Sequence, residues 1–194
     1  YNSKILQSFV RVVMKYLNLH DKQRHRDEKS KIKVTFSTRS VKAGQVNRIG
    51  RKITNEEQLV NLIKKGGIRN LMGEAVEFEL THIDFATISI EEQIAILRNT
   101  DIYIGMHGAG MTHVLWLPDE SVVLELFPKG WHQSSMRNLS KYTGKTYLAW
   151  QNVHDKNHED PQNLWTRVDE EEFKQLMREA VHIVKSFHKG TGLP

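Results

Sequence analysis

Apolar residues recur at helical spacing in Ile5, Phe9, Val12, Val13, Tyr16 and Leu17, so residues 3–17 are predicted to form an amphipathic helix with one apolar stripe. Residues 20–33, HDKQRHRDEKSKIK, are then almost wholly polar and read as a solvated basic linker. Beyond it, short β-rich runs alternate with helical ones. Strands are predicted at 32–37, 76–80, 101–105, 122–126 and 146–150, and helices at 55–65, 89–98, 111–117 and 132–142. A last helix is opened by Asp169 and Glu172, striped by Phe173, Leu176, Met177, Ala180, Val181 and Val184, and closed by Lys185, Lys189 and Gly190. Two S/T-x-x-E boxes, Thr54 to Glu57 and Ser89 to Glu92, stand where helical periodicity begins. Strands alternating with helices imply βαβ units: an α/β parallel sheet with helices on both faces.

Composition narrows the class further. With 194 residues, 39% of them hydrophobic and 26% charged, the chain can bury a full core, and disorder, collagen and coiled coil are excluded. No apolar run approaches the roughly 20 residues needed to span a bilayer, and no N-terminal stretch reads as a signal peptide. The chain opens on Tyr1 rather than Met, as a piece of a longer protein would. The absence of cysteine removes disulfides, thiolate nucleophiles and Cys-based zinc sites without fixing a compartment. A net charge of +5 favours anionic partners in general. Nucleic acid is not expected among them, because the densest basic run, Lys22 to Lys33, carries Asp27 and Glu28 and no aromatic residue. Membrane contact by this segment is not expected either.

The segment TDIYIGMHGAGMTH, residues 100–113, carries the clearest chemistry. A buried strand runs through a three-glycine turn into a helix N-terminus, where unpaired amides and the helix dipole make a site for an anion such as phosphate. Gly108 and Gly110 permit backbone angles closed to other residues and a close ligand approach. The spacing Gly105-x-x-Gly108-x-Gly110 is neither the dinucleotide fingerprint nor a P-loop. A purely structural turn into a packed helix is the alternative that pattern alone leaves open. His154 and His158, with Asp155, Glu159 and Asp160, lie in the polar stretch NVHDKNHEDPQN and read as a solvated loop rather than a metal cluster. Trp131, Trp150 and Trp165 are read as packing residues, any of which has the ring to stack on a base or sugar. Asn138-Leu139-Ser140 is the single N-x-S/T sequon.

The block TDIYIGMHGAGMTHVLWLPDESVVLELF closely resembles the signature of the family 61 glycosyltransferases: a strand, an HGAGLTH-like turn, a short apolar helix, Leu-Pro, and a strand ending in Glu-Leu. The resemblance extends through KVTFSTR (33–39), Arg51 to Glu56 with Leu59 and Val60, Tyr147 to Trp150, and the Val168 to Phe173 helix start, covering most of residues 32–187. Two stretches depart from the animal members. Residues 40–50 are longer, and PKGWHQSSM after Phe127 replaces a cysteine-bearing segment, which leaves the acceptor open.

The resemblance implies the C-terminal, donor-binding half of an inverting GT-B transferase. Residues 1–31 would be a helix and basic linker joining it to a first half, and residues 32–194 the Rossmann-like donor domain. It implies a UDP-sugar donor with N-acetylglucosamine as the first choice of sugar, and no required cofactor. Divalent metal dependence stays open. A Ser/Thr or glycan acceptor on a protein of the secretory pathway lumen is implied as well. A nucleotide-sugar-binding module without transfer, or a xylosyl- or arabinosyltransferase, are the alternatives. Within this frame Arg39 and Arg51, both expected at the carboxyl edge of the sheet, would meet the charge of the departing diphosphate. Gly108, Ala109 and Gly110 would cradle it, and His107 would donate to a phosphate oxygen or assist the leaving group. Glu125, ending a buried apolar strand where an unpaired carboxylate is costly, would bind ribose hydroxyls. Thr112 and His113 are secondary choices, Lys42, Arg48 and Lys52 would add only to the field, and the catalytic base is not identified.

Overall fold

The computed structural model describes residues 3–19, 30–39 and 50–189; most of the expected linker, with Lys42, Arg48 and Gly190, lies outside these. Five strands form one sheet in the order β2-β1-β3-β4-β5, every pair parallel: β1 (Ile32–Ser37), β2 (Phe78–Ile83), β3 (Ile102–Met106), β4 (Val122–Phe127) and β5 (Thr146–Gln151). Side chains alternate across it as the period of two requires. Val34, Phe36, Ile102, Ile104, Leu124 and Leu126 meet α2 (Glu56–Lys64) and α5 (Glu170–His188) on one face. Tyr103 and Val123 meet α3 (Ile90–Arg98), α4 (Ser135–Tyr142) and a 3-10 helix over Ala109–Trp116 on the other. The expected Rossmann-like α/β sandwich is therefore formed. An N-terminal helix, α1 (Lys4–Tyr16), lies outside the sandwich.

Three local expectations are corrected. The second strand begins at Phe78 rather than residue 76: it is the edge strand, with no fully buried position, so Val76 and Phe78 give an apolar signal that starts before the ladder does. The helix expected at 111–117 is a 3-10 helix starting at Ala109. Its first carbonyls are taken by side chains, Ala109 O by the Thr112 hydroxyl (2.7 Å) and Gly110 O by the Tyr103 hydroxyl (3.1 Å), which compete with the bonds of an α-helix. The box at Thr54 to Glu57 does not form either. Asn55 takes the N-cap position of α2, and its amide turns away to donate to the Val168 carbonyl (2.8 Å) and accept from the Val168 N–H (2.9 Å). The Ser89 box is present with both reciprocal bonds, and Asp169 caps α5 by accepting from the Glu171 and Glu172 amides. The polar stretch at 154–160 carries a 3-10 turn and β6 (His158–Asp160), which pairs antiparallel with β7 (Trp165–Thr166). Among the described residues, no group of three or more His, Asp or Glu side chains is arranged to hold a metal ion.

Candidate functional site

The strand order places β1 and β3 side by side, although α2, β2 and α3 separate them in sequence. The chain leaves β1 toward β2 and leaves β3 toward β4, so a crevice opens at their carboxyl ends, where open α/β sheets bind ligands. A cleft of about 470 Å³ occupies this crevice, lined by Arg39, Arg51, Asp84, Gln93, Gly110 and His113 among others. A second lobe of about 230 Å³ shares Ser37, Thr38, Arg39, Arg51 and Met106 with the first and adds Lys52, Thr54, Glu56 and Glu57. The two arginines therefore sit on the seam between two lobes.

Arg39 follows β1 and is held by backbone carbonyls: its guanidinium donates to His107 O (2.9 Å) and Gly50 O (3.2 Å). Partial burial lowers its pKa from the ordinary arginine value, the neighbouring Arg51 guanidinium lowers it further, and Tyr103 opposes the shift. Glycine is needed at 108 for this arrangement. Its φ is 152°, and a Cβ there would stand 2.0 Å from the Arg39 Nη2. At Gly105 a Cβ would meet Ser37 Oγ at 2.5 Å and Met111 Sδ at 2.7 Å, so this position keeps β3 tight against β1. Gly110 differs from the expectation: its φ is not positive and nothing lies within 4 Å of a built Cβ, because its flank faces the cleft.

Arg51 reaches the same seam from a long-range contact. Residues 52–54 are zipped to Thr166 through the Thr54 N–H to Thr166 O (2.9 Å) and Thr166 N–H to Lys52 O (2.9 Å) bonds, and Arg51 N–H donates to Asn163 O (2.7 Å). The turn this makes puts Arg51 at φ 64° and lays its guanidinium 5.2 Å from the centre of the Trp131 ring. Among the described residues neither Arg39 nor Arg51 forms a salt bridge. Two neighbouring cations with no salt bridge among the described residues make a site that an anion with several oxygens can satisfy.

The wall opposite is built by the 3-10 helix. Tyr103 Oη donates to Gly110 O (3.1 Å), and His113 Nδ1 contacts the same carbonyl. The His113 ring stacks on Phe85 at 4.5 Å, and its Nε2 meets Gln93 Oε1 at 2.7 Å. Gln93 is fixed in turn by donating to the Phe85 (2.8 Å) and Ile88 (3.1 Å) carbonyls. Burial lowers the pKa of His113, with the Gly110 carbonyl bond opposing it. Thr112 is exposed, returns its hydroxyl to Ala109 O (2.7 Å) and does not line the cleft.

His107 and Glu125 lie behind the cleft rather than in it. His107 Nδ1 stands 2.6 Å from Glu125 Oε1, Tyr147 Oη donates to Glu125 Oε2 (2.7 Å), and Phe127 stacks on the imidazole at 4.8 Å. Glu125 is fully buried, His107 is 3% exposed, and Gln133 Oε1 stands 3.1 Å from His107 Nε2. Both carboxylate oxygens are thus engaged by protein donors, which withdraws Glu125 from the ribose role. The network anchors the turn whose His107 carbonyl holds Arg39. Burial, and then the bond to Glu125, push the Tyr147 phenol pKa up.

Of the residues singled out from sequence, the cleft brings together Arg39, Arg51, Ala109, Gly110 and His113; Gly108 packs under Arg39, while His107, Thr112 and Glu125 lie outside. Trp150 is core, donating to Glu172 Oε2 (2.5 Å). Trp165 stacks under Lys52 Nζ at 5.2 Å. Asp84, Phe85 and Gln93 carry no local signal because they follow the edge strand or sit on α3, and only the tertiary fold brings them to the cleft.

The chain is thus a doubly wound α/β domain with paired arginines at its switch-point crevice, the place where such sheets take ligands. The sequence pattern of the glycosyltransferase 61 family matches residues 3–124, and the chain belongs to that family. It is similar to the EGF domain-specific O-linked N-acetylglucosamine transferase of Bos taurus, 31% identical over 193 residues that make up 94% of this chain and 33% of that protein. The enzyme of the same name from Canis lupus familiaris is 31% identical over 195 residues, covering 95% and 34% of the two chains. That from Gallus gallus is 37% identical over 120 residues, covering 62% and 20%. The chain spans about a third of the length of the mammalian relatives. Among solved structures, a mutant flavo di-iron protein from Thermotoga maritima superposes with a TM-score of 0.43 at 15% identity, over 84% of this chain and 37% of that one, a likeness too weak to define a shared fold.

Proposed function

We propose that this chain is the donor-binding half of an inverting GT-B glycosyltransferase, which moves N-acetylglucosamine from a UDP-sugar to a Ser/Thr hydroxyl or glycan on a protein in the lumen of the secretory pathway. The observation that carries the reading is the Arg39–Arg51 pair, without a salt bridge among the described residues, at the seam of a two-lobed cleft. A nucleoside diphosphate sugar has the matching form, two uncharged ends joined by a doubly anionic centre. As the glycosidic bond to the diphosphate breaks, negative charge grows on the departing oxygens, and fixed guanidiniums in a partly dry cleft stabilise that charge more than they do in water. Arg39 is held on two carbonyls and Arg51 by a strained turn and an aromatic face, so little reorganisation is needed when the charge develops. The sugar's identity and the acceptor class rest on the names of the relatives, and the secretory compartment on the resemblance. The acceptor surface is assigned to sequence outside these 194 residues.

Calorimetric titration of the chain with UDP tests the reading. Arg39→Ala and Arg51→Ala are each expected to lose about 1.5–3 kcal/mol of binding, one charge-assisted contact. UDP binding as tight in both variants as in the parent would sink the assignment.

A further inference from the structure

Two hydrogen bonds on the cleft wall call for more protons than a neutral histidine carries. The Gln93 side-chain amide donates to the Phe85 (2.8 Å) and Ile88 (3.1 Å) carbonyls, so its nitrogen is fixed on that side and Oε1 is the atom facing His113 Nε2 at 2.7 Å. The other ring nitrogen, Nδ1, faces the Gly110 carbonyl. Both neighbours of the ring are therefore acceptors, and only the imidazolium can donate to both; a neutral ring, in either tautomer, turns one lone pair toward an oxygen. Resting on the nucleotide-sugar reading above, we propose that His113 takes up a proton when the donor's diphosphate enters the cleft, which gives the wall opposite Arg39 and Arg51 a third cation and completes its hydrogen bonds.

Burial keeps this proton off the ring in the free protein. It lowers the His113 pKa from the ordinary histidine value, with the Gly110 carbonyl opposing the shift. The elements packed around the ring and its helix present mainly uncharged groups: Gln93 from α3, Met136 and Leu139 from α4, the Phe9 ring from α1 against Trp116, Phe85 stacked on the imidazole at 4.5 Å, and Tyr103 from β3, whose hydroxyl donates to the same Gly110 carbonyl (3.1 Å). The charged groups lining the same lobe are Asp84, just before Phe85, and the guanidiniums of Arg39 and Arg51. Among the described residues His113 forms no ion pair of its own. A doubly anionic diphosphate held by the guanidiniums adds negative potential across this lobe, and in a part-buried site that favours the imidazolium strongly. Proton uptake in turn makes binding tighter as pH falls. Affinity is constant above the His113 pKa of the complex, rises by up to about tenfold per pH unit between that value and the lower one of the free protein, and is constant below it.

UDP-N-acetylglucosamine is the probe, because its diphosphate bridges two groups and keeps its charge where a histidine titrates, whereas the terminal phosphate of UDP itself gains a proton near about pH 6. Calorimetry between about pH 5 and 8, repeated in buffers of different ionisation enthalpy, is expected to show affinity rising toward low pH and up to about one proton taken up per donor bound. Ring-nitrogen NMR of the parent should find His113 neutral in the free protein and doubly protonated in the complex at the same pH. His113→Gln, which keeps a side chain able to donate to Gly110, should abolish the proton uptake and flatten the pH profile to within about twofold. His154→Gln, on the loop before β6 and outside the cleft, should leave both as in the parent. A ring doubly protonated before the donor is added, a ring that stays neutral in the complex, a full pH dependence in His113→Gln, or loss of the uptake in His154→Gln would each overturn the proposal while leaving donor binding standing. A parent that binds the probe at no pH overturns the nucleotide-sugar reading itself, and the role of His113 with it.

Discussion

Arg51 occupies left-handed backbone space at φ 64°, a conformation that costs a non-glycine residue of the order of 1 kcal/mol or more. The strain is offset by the Asn163 carbonyl and the Trp131 face, which hold the guanidinium at the seam of the cleft. Stability and binding should therefore separate at this position. Arg51→Ala and Arg51→Gly both lose the cation and are expected to bind UDP equally weakly, but the glycine variant should be more stable than the alanine variant by about 1 kcal/mol in denaturant titration. Equal stability of the two would mean that the turn is not strained. The same position shows what a motif can and cannot convey. Arg39 and Arg51 are legible because arginines flanking a strand and a helix start fall on the ligand edge of such a sheet. The surroundings of Glu125 are not legible, because one strand's pattern reveals that a carboxylate is buried but not which donors surround it. Tyr147, from the neighbouring β5, engages the second Glu125 oxygen, and no local pattern links residue 125 to residue 147.

Elements are read best where the apolar pattern coincides with a cap. The first strand has the bounds its pattern predicts, and the helix from Ser89 starts where its box requires. Thr54 to Glu57 has the same letters without the box, because Asn55 forms a paired bond with Val168 that is 113 residues away in sequence. Tertiary pairing outcompetes a local cap. The two sites make a controlled comparison. Ser89→Ala removes a capping oxygen that accepts from Glu92 N–H at 3.2 Å and is expected to destabilise the chain by about 1 kcal/mol. Asn55→Ala leaves buried partners on Val168 unsatisfied and should cost more, about 2–3 kcal/mol, though it makes no side-chain capping bond at all. Thermal denaturation of the two variants checks the order, and a larger loss at Ser89 would contradict it. The 3-10 helix is legible as a helix but not as this kind, since one of the groups that takes its carbonyls, the Tyr103 hydroxyl, comes from β3.

At the scale of the whole molecule, α1 is set apart from the sheet it precedes. Only Met14 of its residues is buried, while Ile5 and Tyr16 are more than 80% exposed. It rests on the sandwich through the Phe9 ring, 6.1 Å from Trp116, and the Ser3 N–H to Tyr142 O bond (2.7 Å). Between helix and body lies a gap of about 200 Å³ bordered by Leu6, Val10, Leu117, Asp119, Thr143 and Lys145. Asp119 and Lys145 stand just before β4 and β5, so α1 sits at the amino edge of the sheet, opposite the cleft. An interface with one buried side chain and an unfilled gap contributes little to the fold, about 2–3 kcal/mol for burying Met14. Deleting residues 1–29 is therefore expected to leave a cooperative melting transition lowered by no more than about 10 °C, given some 2–4 °C per kcal/mol for a domain of this size. UDP affinity should stay within about twofold of the parent, because none of the described residues of the deleted segment lines the cleft. The deletion should also reduce concentration-dependent self-association in light scattering, since it removes the apolar stripe of Ile5, Phe9, Val12 and Tyr16 from solvent. A truncated chain that melts without cooperativity or no longer binds UDP would show that α1 is part of the donor domain's fold and not an appendage to it.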